Sequence, residues 1–284
     1  MTLDKILNPG YIFRNRENII PAIRRLLTSP VRTARRYSAL RGIPLNKNDK
    51  RLFELKDKHK GERCFIIGNG PSLQIKDLQL LSDKKDICFA FNKIFLAFED
   101  TAFRPTYYII EDPLVIKNTK NELKKLGSFP KFFPYIFRYN LRDVSNALYY
   151  YLDWDDFYPG FPEFSCNPFD LHWGATVVYT ALQLAIYMGC NPIYLIGIDF
   201  YFKESIVTDP GKKHVMIADG EKNHFHPDYR PSGEKWYIPR LDHQKKSFLA
   251  AKKYALANDI KIINASRETH LDVFDQINPD QVIN

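Results

Sequence analysis

The sequence predicts an α/β protein of the Rossmann-like type: a mostly parallel sheet with helices on both faces, preceded by a basic helical arm and carrying lid segments. Short, continuous apolar runs recur along the chain and are bounded by Gly, Asn, Asp or Pro, as expected for strands buried on both faces. Helical patterns separate these runs, which favours parallel pairing. The length of 284 residues, 45% of them hydrophobic, is sufficient for one large domain and an appendage.

Six apolar runs are expected to form strands, and three segments between them are expected to form helices. The strand candidates are CFII (64–67), ICFAF (87–91), TYYII (106–110), FPKFFPYIF (129–137), NPIYLIGID (191–199) and IKII (260–263). The helix candidates are 73–83, 175–189 and 243–259. These elements define a Rossmann-like domain at 61–275. Segments 129–173 and 203–242 are lid candidates, the first because its aromatic residues show weak periodicity.

Basic charge is concentrated at the N-terminus. Residues 1–60 hold fifteen Lys and Arg against five Asp and Glu, whereas the rest of the chain is close to neutral. Apolar residues such as Ile19 and Leu26 alternate with arginines there, which predicts short amphipathic helices broken near Pro21 and Pro30. The arm is expected either to bind an anionic membrane surface or to pack on the body as a solvated helix. Because the basic excess lies outside the domain, no nucleic-acid partner is expected.

Cysteine usage and hydropathy predict the compartment. The four cysteines show no metal-binding spacing, so buried free thiols are expected. No apolar run has the length of a membrane span, and the N-terminus lacks the apolar core of a signal peptide. We expect a soluble body in the cytoplasm, peripheral on the inner face of the cytoplasmic membrane if the arm binds lipid. The oligomeric state is left open.

The first predicted strand ends in Gly-Asn-Gly-Pro-Ser (68–72), which suits close approach of a ligand. Its glycines tolerate unusual backbone angles and carry no Cβ, whereas Pro71 and Ser72 suit the cap or first turn of the next helix. Outward-facing N–H groups at that helix start predict a site for a phosphate-bearing ligand. The motif is neither GxGxxG nor a P-loop, and a tight turn without a ligand is the alternative.

Polar residues also follow the other predicted strands. Asn92 follows the second strand, Glu111-Asp112 the third, and Asp199 the fifth. Because parallel strands end at the same edge of a sheet, these groups are expected to meet the GNGPS turn there. Such side chains bind base edges, ribose hydroxyls or a metal ion, although each one singly is more often a cap or a turn former.

These segments resemble known families. GNGPSL (68–73), Asn92 and GIDFY (197–201) together resemble the bacterial sialyltransferases that use CMP-activated sialic acid in lipooligosaccharide synthesis. A neighbouring group comprises the motility-associated flagellin glycosyltransferases and the 6-hydroxymethylpterin diphosphokinases (MptE-like). The segments that resemble this group are FRPTYYIIED (103–112), TVVYTALQLAIYMGCNPIYLIGID (176–199) and IINASRETHLDVF (262–274). The resemblance covers about 61–275 and excludes the arm.

The resemblance, together with the strand ends, implies a nucleotide site and a histidine base. The nucleotide-binding candidates are Gly68, Asn69, Gly70, Pro71, Ser72, Asn92, Asp112, Thr176, Gly197 and Asp199. Tyr201 takes the position of a tyrosine near the phosphate. The base matches His224 or His226 in Asn-His-Phe-His, which we favour, whereas spacing from the following helix indicates His243. Gly174 and Val177-Val178 depart from the sialyltransferase pattern.

The predicted function is that of a glycosyltransferase, which moves a sialic-acid-like sugar from a CMP donor to a bacterial surface glycan or glycolipid, as in lipopolysaccharide biosynthesis. A neutral histidine takes the proton of the acceptor, and backbone amides with Tyr201 and Tyr229 stabilise the leaving phosphate. No cofactor or metal is expected. One alternative is an ATP-dependent 6-hydroxymethylpterin-type diphosphokinase, with Mg²⁺ on Asp112 and Asp199. The other is a non-catalytic nucleotide- or glycan-binding partner in envelope assembly.

Overall fold

The computed structural model describes residues 30, 33–154, 162–203 and 215–284. Contacts within the chain divide it into two units, Met1–Phe53 and Glu54–Asn284. The division lies before the predicted boundary at residue 60, because residues 54–60 belong to the second unit and hydrogen-bond to its other segments. The bond from His59 N to Met188 O (2.7 Å) is one example.

The first unit contains two helical segments among its described residues. Residues 33–40 are helical, and helix α1 spans Lys47–Phe53. The predicted amphipathic arm and its membrane-binding role fall mainly on residues 1–29 and 31–32, which lie outside the described residues, so the arm is not confirmed. Within the described ranges, no helix combines the length and the apolar character that crossing a bilayer requires.

A parallel sheet of eight strands is the centre of the second unit. The strands of this unit are β1 (Cys64–Ile67), β2 (Ile87–Phe91), β3 (Tyr107–Ile109), β4 (Lys131–Pro134), β5 (Ala147–Tyr150), β6 (Leu152–Asp153), β7 (Leu171–His172), β8 (Ile193–Ile196), β9 (Val215–Ile217), β10 (Lys235–Tyr237), β11 (Ile262–Asn264) and β12 (Asp275–Gln276). The sheet order is β12-β11-β8-β1-β2-β3-β4-β5, and every neighbouring pair is parallel. The predicted α/β class with a parallel sheet is confirmed.

Helices surround the sheet and bury its apolar residues. They are α2 (Ile75–Asp83), α3 (Pro113–Asn118), α4 (Lys120–Lys125), α5 (Val177–Tyr187), α6 (Leu241–Ala257) and α7 (Asp280–Ile283). Leu78 and Leu81 of α2 pack in one core cluster with Phe65 and Ile67 of β1, and α5 packs against β1 and β2. Every residue of β1 and β2 is buried, which explains why CFII and ICFAF are apolar without alternation.

The order of the strands reverses between β1 and β8. From β1 the chain adds β2 to β5 on one side, and it later adds β8, β11 and β12 on the other. Loops that follow the two strands at such a reversal diverge and leave a crevice at the carboxyl end of the sheet. The GNGPS turn follows β1 and Gly197-Ile198-Asp199 follows β8, so both sequence motifs border this crevice.

Two local expectations differ from the structure. Helix α2 begins at Ile75 with Gln74 as its N-cap, so Pro71 and Ser72 precede the helix and do not start it. The lid candidate 129–173 contributes strands β4 and β5 to the edge of the sheet. The alternating burial of ALYY in β5, with two of its four residues only half-buried, explains why its apolar run is not distinctive in the sequence.

A lysine is completely buried at the start of β4. Lys131 is 0% exposed, and its Nζ donates to the carbonyl oxygens of Gly127 (2.5 Å), Phe129 (3.2 Å) and Ser145 (3.0 Å). One ammonium group therefore joins the segments that precede β4 and β5. These hydrogen bonds compensate for removing the charge from water.

Replacing Lys131 by Met should lower the free energy of unfolding by about 2–4 kcal/mol, because three carbonyl groups in a buried site lose this donor. Urea unfolding followed by circular dichroism measures the change. Lys124→Met is the matched control. The Lys124 side chain is 41% exposed and pairs with Asp143 at 3.5 Å, so its loss should cost less than about 0.5 kcal/mol. Equal effects of the two substitutions would contradict the structural role of Lys131.

Candidate functional site

Two adjoining cavities open at the carboxyl ends of the strands near the reversal point. The smaller has a volume of about 130 Å³ and the larger about 510 Å³. The residues that line both are Asn92, Thr176, Val177, Phe202, His224, Tyr229 and Gln244. Because these walls are shared, the two cavities form one recess with two chambers.

The smaller cavity gathers most of the residues predicted to bind a nucleotide. Its lining includes Gly68, Asn69, Gly70, Asn92, Thr176, Gly197, Asp199 and Tyr201. Pro71 and Ser72 lie outside this lining, and Asp112 lines the larger cavity instead. The strand ends therefore meet at one edge of the sheet, as the sequence predicts. Their role in nucleotide binding stays a prediction.

Two buried amide oxygens in the smaller cavity lack partners. Asn69 donates from Nδ2 to Phe91 O at 3.1 Å, but its Oδ1 and the Oδ1 of Asn92 have no hydrogen bond among the described residues. Buried polar atoms are normally satisfied by protein, water or ligand. Unsatisfied acceptors on two residues that line one chamber suit a group that donates hydrogen bonds, such as an amino group or a ribose hydroxyl.

The carboxylate of Asp199 closes on the GNGPS turn. Ser72 donates to it from the backbone N–H (2.9 Å) and also from its hydroxyl. Gly70 permits this contact, since a Cβ at that position would lie 2.5 Å from Asp199 Cγ. Burial raises the pKa of Asp199, and the bonds from Ser72 lower it in part.

The turn consequently lacks the open anion cradle that its sequence suggests. The N–H of Gly68 donates to Ile196 O (2.7 Å) and that of Gly70 to Gly197 O (2.9 Å), while Ser72 donates to Asp199. An internal carboxylate thus occupies the position at which an anionic ligand was expected. A phosphate group must find its cations elsewhere in the recess.

Three non-glycine residues at the recess have left-handed backbone angles. Asn92, Ala175 and Phe200 have φ values of 53°, 58° and 56°. Such angles are uncommon for Asn and are outliers for a bulky residue such as Phe. The backbone at Ala175 is held by a hydrogen bond that Gln244 Nε2, on α6, donates to Ala175 O at 3.1 Å. Strained backbone of this kind is often found at ligand sites.

The larger cavity combines aromatic rings with charged groups. Its aromatic lining includes Trp154, Trp173, Trp236 and Tyr237, and its charged lining comprises Glu111, Asp112, Arg230 and Arg240. The indole Nε1 atoms of Trp154 and Trp236 are buried without partners among the described residues. Flat rings, cations and unpartnered donors together suit a ring-shaped ligand with acceptor oxygens.

Arg230 is one of the two arginines among the described residues that line the larger cavity. Its guanidinium lies 3.7 Å from the centre of the Trp236 ring and 3.4 Å from Glu221 Oε1. Burial lowers its pKa, and Tyr229 and Glu221 counteract that effect. Across the cavity, Asp112 caps α3 by accepting from Leu114 N (2.7 Å), so one of its oxygens is committed to the helix.

Glu111 is a buried carboxyl group in the wall of the larger cavity. It is 5% exposed, and its Oε2 accepts hydrogen bonds from Thr180 Oγ1 (2.7 Å) and from the hydroxyl of Tyr150 (3.3 Å). Burial raises its pKa from 4.5 to about 7, against the two hydrogen bonds, which lower it. The carboxyl group of Glu111 therefore changes its protonation state near neutral pH.

The three candidate histidines occupy different positions. His224 lies in the wall shared by the cavities and stacks on Tyr229 at 3.8 Å between ring centres. Burial lowers the pKa of His224 well below its ordinary value, with help from Arg230 and Lys93, so the ring is neutral at pH 7. His226 caps a short turn by accepting from Asp228 N (3.1 Å), and His243 pairs with Asp242 (3.1 Å). Neither is among the described residues that line the two chambers.

Tyr201, the predicted phosphate-contacting residue, lies at the mouth of the smaller cavity. It is 59% exposed, and its ring is 5.5 Å from that of His270. This exposure leaves its hydroxyl accessible to a ligand that projects from the chamber, whereas Tyr229 is buried in the shared wall.

A covering segment, residues 215–240, completes the recess. Lys93, after β2, donates from Nζ to Glu234 Oε2 (2.6 Å) and to Tyr229 O (2.7 Å). Phe225 N donates to Asn69 O at 3.0 Å, which ties the same segment to the GNGPS turn. The segment forms the antiparallel pair β9–β10, and the lid role of 203–242 stays a prediction.

Several residues of the recess carry no distinctive signal in the sequence. Trp154, Trp173, Arg230 and Trp236 stand in irregular or weakly patterned stretches. Glu111 follows a predicted strand, and that position is the signal by which it could have been chosen over Asp112. Among the described residues, no group of three His, Cys, Asp or Glu side chains is arranged to hold a metal ion.

Gly70→Ala should displace the Asp199 carboxylate, because the new Cβ overlaps it, and should lower the free energy of unfolding by about 1–3 kcal/mol. Ligand binding in the smaller cavity should weaken with it. Gly127→Ala is the control, since a Cβ there meets only ordinary contacts at 3.6 and 3.7 Å from Phe129. Chemical denaturation of both variants measures the difference. A Gly70→Ala protein as stable as Gly127→Ala would refute the contact.

Glu111 should make stability fall as pH rises. Its pKa is about 7 in the folded chain against an ordinary 4.5, so the folded protein keeps a proton that the unfolded chain releases between these values. The contribution is complete below pH 4.5 and lost by about pH 7. Glu111→Gln should therefore gain about 3 kcal/mol relative to the native protein on going from low to high pH. Parallel urea titrations check this, and a pH-independent difference would contradict it.

Comparisons with known proteins agree with this architecture. The MAf glycosyltransferase from Magnetospirillum magneticum AMB-1 has a similar structure, with a TM-score of 0.50 and 15% sequence identity. The similarity covers 79% of this chain and 35% of that one, so this chain spans about a third of its length. No match was found among curated proteins. The family model "6-hydroxymethylpterin diphosphokinase MptE-like" matches residues 38–205, more than half of the chain. The chain therefore belongs to the MptE-like family.

Proposed function

We propose that this protein is a glycosyltransferase that uses a nucleotide-sugar donor. The observation that carries the proposal is the recess with two chambers, in which His224, Asn92 and Thr176 stand between the smaller and the larger cavity. A nucleotide sugar has two parts joined by phosphate, and a recess of this shape suits such a ligand. The glycosyltransferase activity named for the structurally similar MAf protein is consistent with this proposal.

The smaller cavity is proposed to receive one ring of the nucleoside. Its volume of about 130 Å³ approaches that of the cavity, about 150 Å³, that admits one benzene molecule. One ring therefore fits, either the base or the ribose. The unpartnered Oδ1 atoms of Asn69 and Asn92 favour a part that donates hydrogen bonds, as the amino group of cytosine does. We propose CMP as the nucleotide.

The larger cavity is proposed to receive the sugar and the acceptor. Trp154, Trp173 and Trp236 offer apolar faces for a sugar ring, and Arg230 offers a cation for a carboxylate or phosphate oxygen. An acidic sugar of the sialic-acid type matches both features. The acceptor is proposed to be a bacterial surface glycan or glycolipid, and the anionic membrane partner proposed for residues 1–60 would bring the enzyme to it.

In the proposed reaction an acceptor hydroxyl attacks the anomeric carbon of the donor sugar. Its proton passes to a base, the new O–C bond forms, and the C–O bond to the phosphate breaks with its electron pair on the departing CMP. The family resemblance assigns the base to a histidine, and of the three candidates only His224 lines the cavities. Its lowered pKa keeps it neutral. Arg230 balances the charge that develops on the phosphate.

The alternative is transfer of diphosphate from ATP to a pterin-like hydroxymethyl group, which the family's description favours. Flat aromatic walls also suit a pterin ring. This reaction uses metal ions bridging the phosphates, for which Asp112 and Asp199 were the sequence candidates. Asp112 caps α3 and Asp199 binds Ser72, which makes this reaction the second candidate.

A ligand panel tests the proposal directly. Thermal unfolding of the full chain is measured with CMP, CDP, UDP, GDP and ATP, each with and without Mg²⁺. We expect stabilisation by CMP without a metal requirement, because bound ligand stabilises the folded state. Stabilisation only by ATP with Mg²⁺ supports the diphosphokinase, and a flat panel supports a non-catalytic partner.

The two neighbouring histidines are separated by matched substitutions. His224→Asn should lower transfer at least about tenfold, since it removes a group from the wall between the chambers. His226→Asn should stay within about threefold, because Asn also caps helical turns well. Release of CMP from a CMP-sugar donor measures both. If His226→Asn loses more activity than His224→Asn, the assignment to His224 is wrong.

A further inference from the structure

Glu111 is a buried ionisable side chain in the wall of the larger cavity. Two hydroxyl groups fix its orientation, and no other ionisable side chain that lines this cavity has such an arrangement among the described residues. The three groups come from different elements: Glu111 follows β3, Tyr150 ends β5, and Thr180 lies in α5. All three are buried. The mechanism outlined above leaves this arrangement without a role, although its carboxyl group lines the chamber in which an acceptor would bind.

Both hydroxyl groups donate to the same oxygen of Glu111. Thr180 and Tyr150 reach Oε2, while Oε1 receives no hydrogen bond from the described residues. Two donors fix the plane of the carboxyl group and leave one oxygen available to a ligand. A base that neighbouring side chains orient in this way is typical of sites where a proton is removed from a substrate hydroxyl.

His224 is less suited to the same step. The described residues give its ring no hydrogen bond, and it is oriented by stacking on Tyr229. Arg230 and Lys93 disfavour a further positive charge on it. A base works best when its pKa lies near the operating pH. The pKa of Glu111 lies near neutrality and that of His224 well below it.

We propose that Glu111, acting through Oε1, replaces the histidine that the resemblance assigns as the base and takes the proton from the acceptor hydroxyl in the larger cavity. This inference rests on the proposed glycosyl transfer. The acceptor O–H bond breaks with its proton on Glu111, the oxygen bonds to the anomeric carbon, and the phosphate leaves with the electron pair. His224, in the wall between the chambers, then contacts the departing phosphate as a neutral hydrogen-bonding group.

The surroundings of Glu111 set the pH dependence. Asp112, next to it in the chain, raises its pKa, and Thr180 and Tyr150 lower it. The other charged or titratable groups that line its chamber are Arg230, Arg240, His224, Tyr229 and Tyr237. Activity that needs ionised Glu111 rises with pH through about 7 and is level above it. Loss of the Thr180 hydrogen bond moves this rise to higher pH.

The test is the pH profile of kcat/KM for release of CMP from CMP-N-acetylneuraminic acid, with lactose as acceptor, by the full chain. We compare the native protein with Glu111→Gln, Thr180→Val and His224→Asn. Glu111→Gln should lose the rise near pH 7 and fall about 10²- to 10³-fold. Thr180→Val should shift the rise upward, and His224→Asn should retain it at a lower rate. The CMP affinity of each variant confirms that it is folded.

The outcomes separate the two proposals. If the native protein turns over the donor but Glu111→Gln keeps the same rise and a rate within about threefold, the role of Glu111 is overturned and the glycosyltransferase stands. A Thr180→Val profile that does not move also overturns it. If the native protein releases no CMP, the proposed donor chemistry fails and the inference fails with it.

Discussion

The contact between Asp199 and the GNGPS turn is the constraint on which the recess depends. It joins the loop after β1 to the loop after β8, the two strands between which the sheet order reverses. A carboxylate that accepts from Ser72 fixes both loops, and the absence of a Cβ at Gly70 makes room for it. Parallel sheets of this kind form a crevice where the strand order reverses. In this protein the contact between Asp199 and Ser72 fixes the two loops that border that crevice.

This constraint also determines where charge is recognised. The N–H groups of Gly68, Gly70 and Ser72 in the turn have protein acceptors, and Asn69 and Asn92 line the smaller cavity, which therefore suits a neutral, hydrogen-bond-donating group. Cations are found in and beside the larger cavity, in Arg230 and Arg240. The two chambers therefore differ: Arg230 and Arg240 line only the larger one, where they accompany the carboxyl groups of Glu111 and Asp112. A ligand with a neutral heterocycle and an acidic far end would bind in one orientation.

The sequence predicted the parts of the fold that depend on burial alone. CFII and ICFAF are continuous apolar runs because both faces of β1 and β2 are covered, and Asn92 and Asp199 reach one edge because parallel strands end there. The remaining features depend on side-chain direction. Nothing local distinguishes His224 from His226, yet one ring lines the cavities and the other caps a turn. Likewise, Glu111 becomes notable only when Thr180 and Tyr150, distant in sequence, fold against it.

The ion pair between Lys93 and Glu234 has a consequence for access to the recess. Its side chains are only 9% and 16% exposed, so mobile ions screen it far less than they screen pairs at the surface. The ion pair therefore holds the covering segment about as firmly at high ionic strength as at low ionic strength. A charged ligand would enter by the mouth beside Tyr201, whose exposure leaves that side open. Salt would therefore change the rate at which the ligand meets the protein more than it would change the attachment of the covering segment.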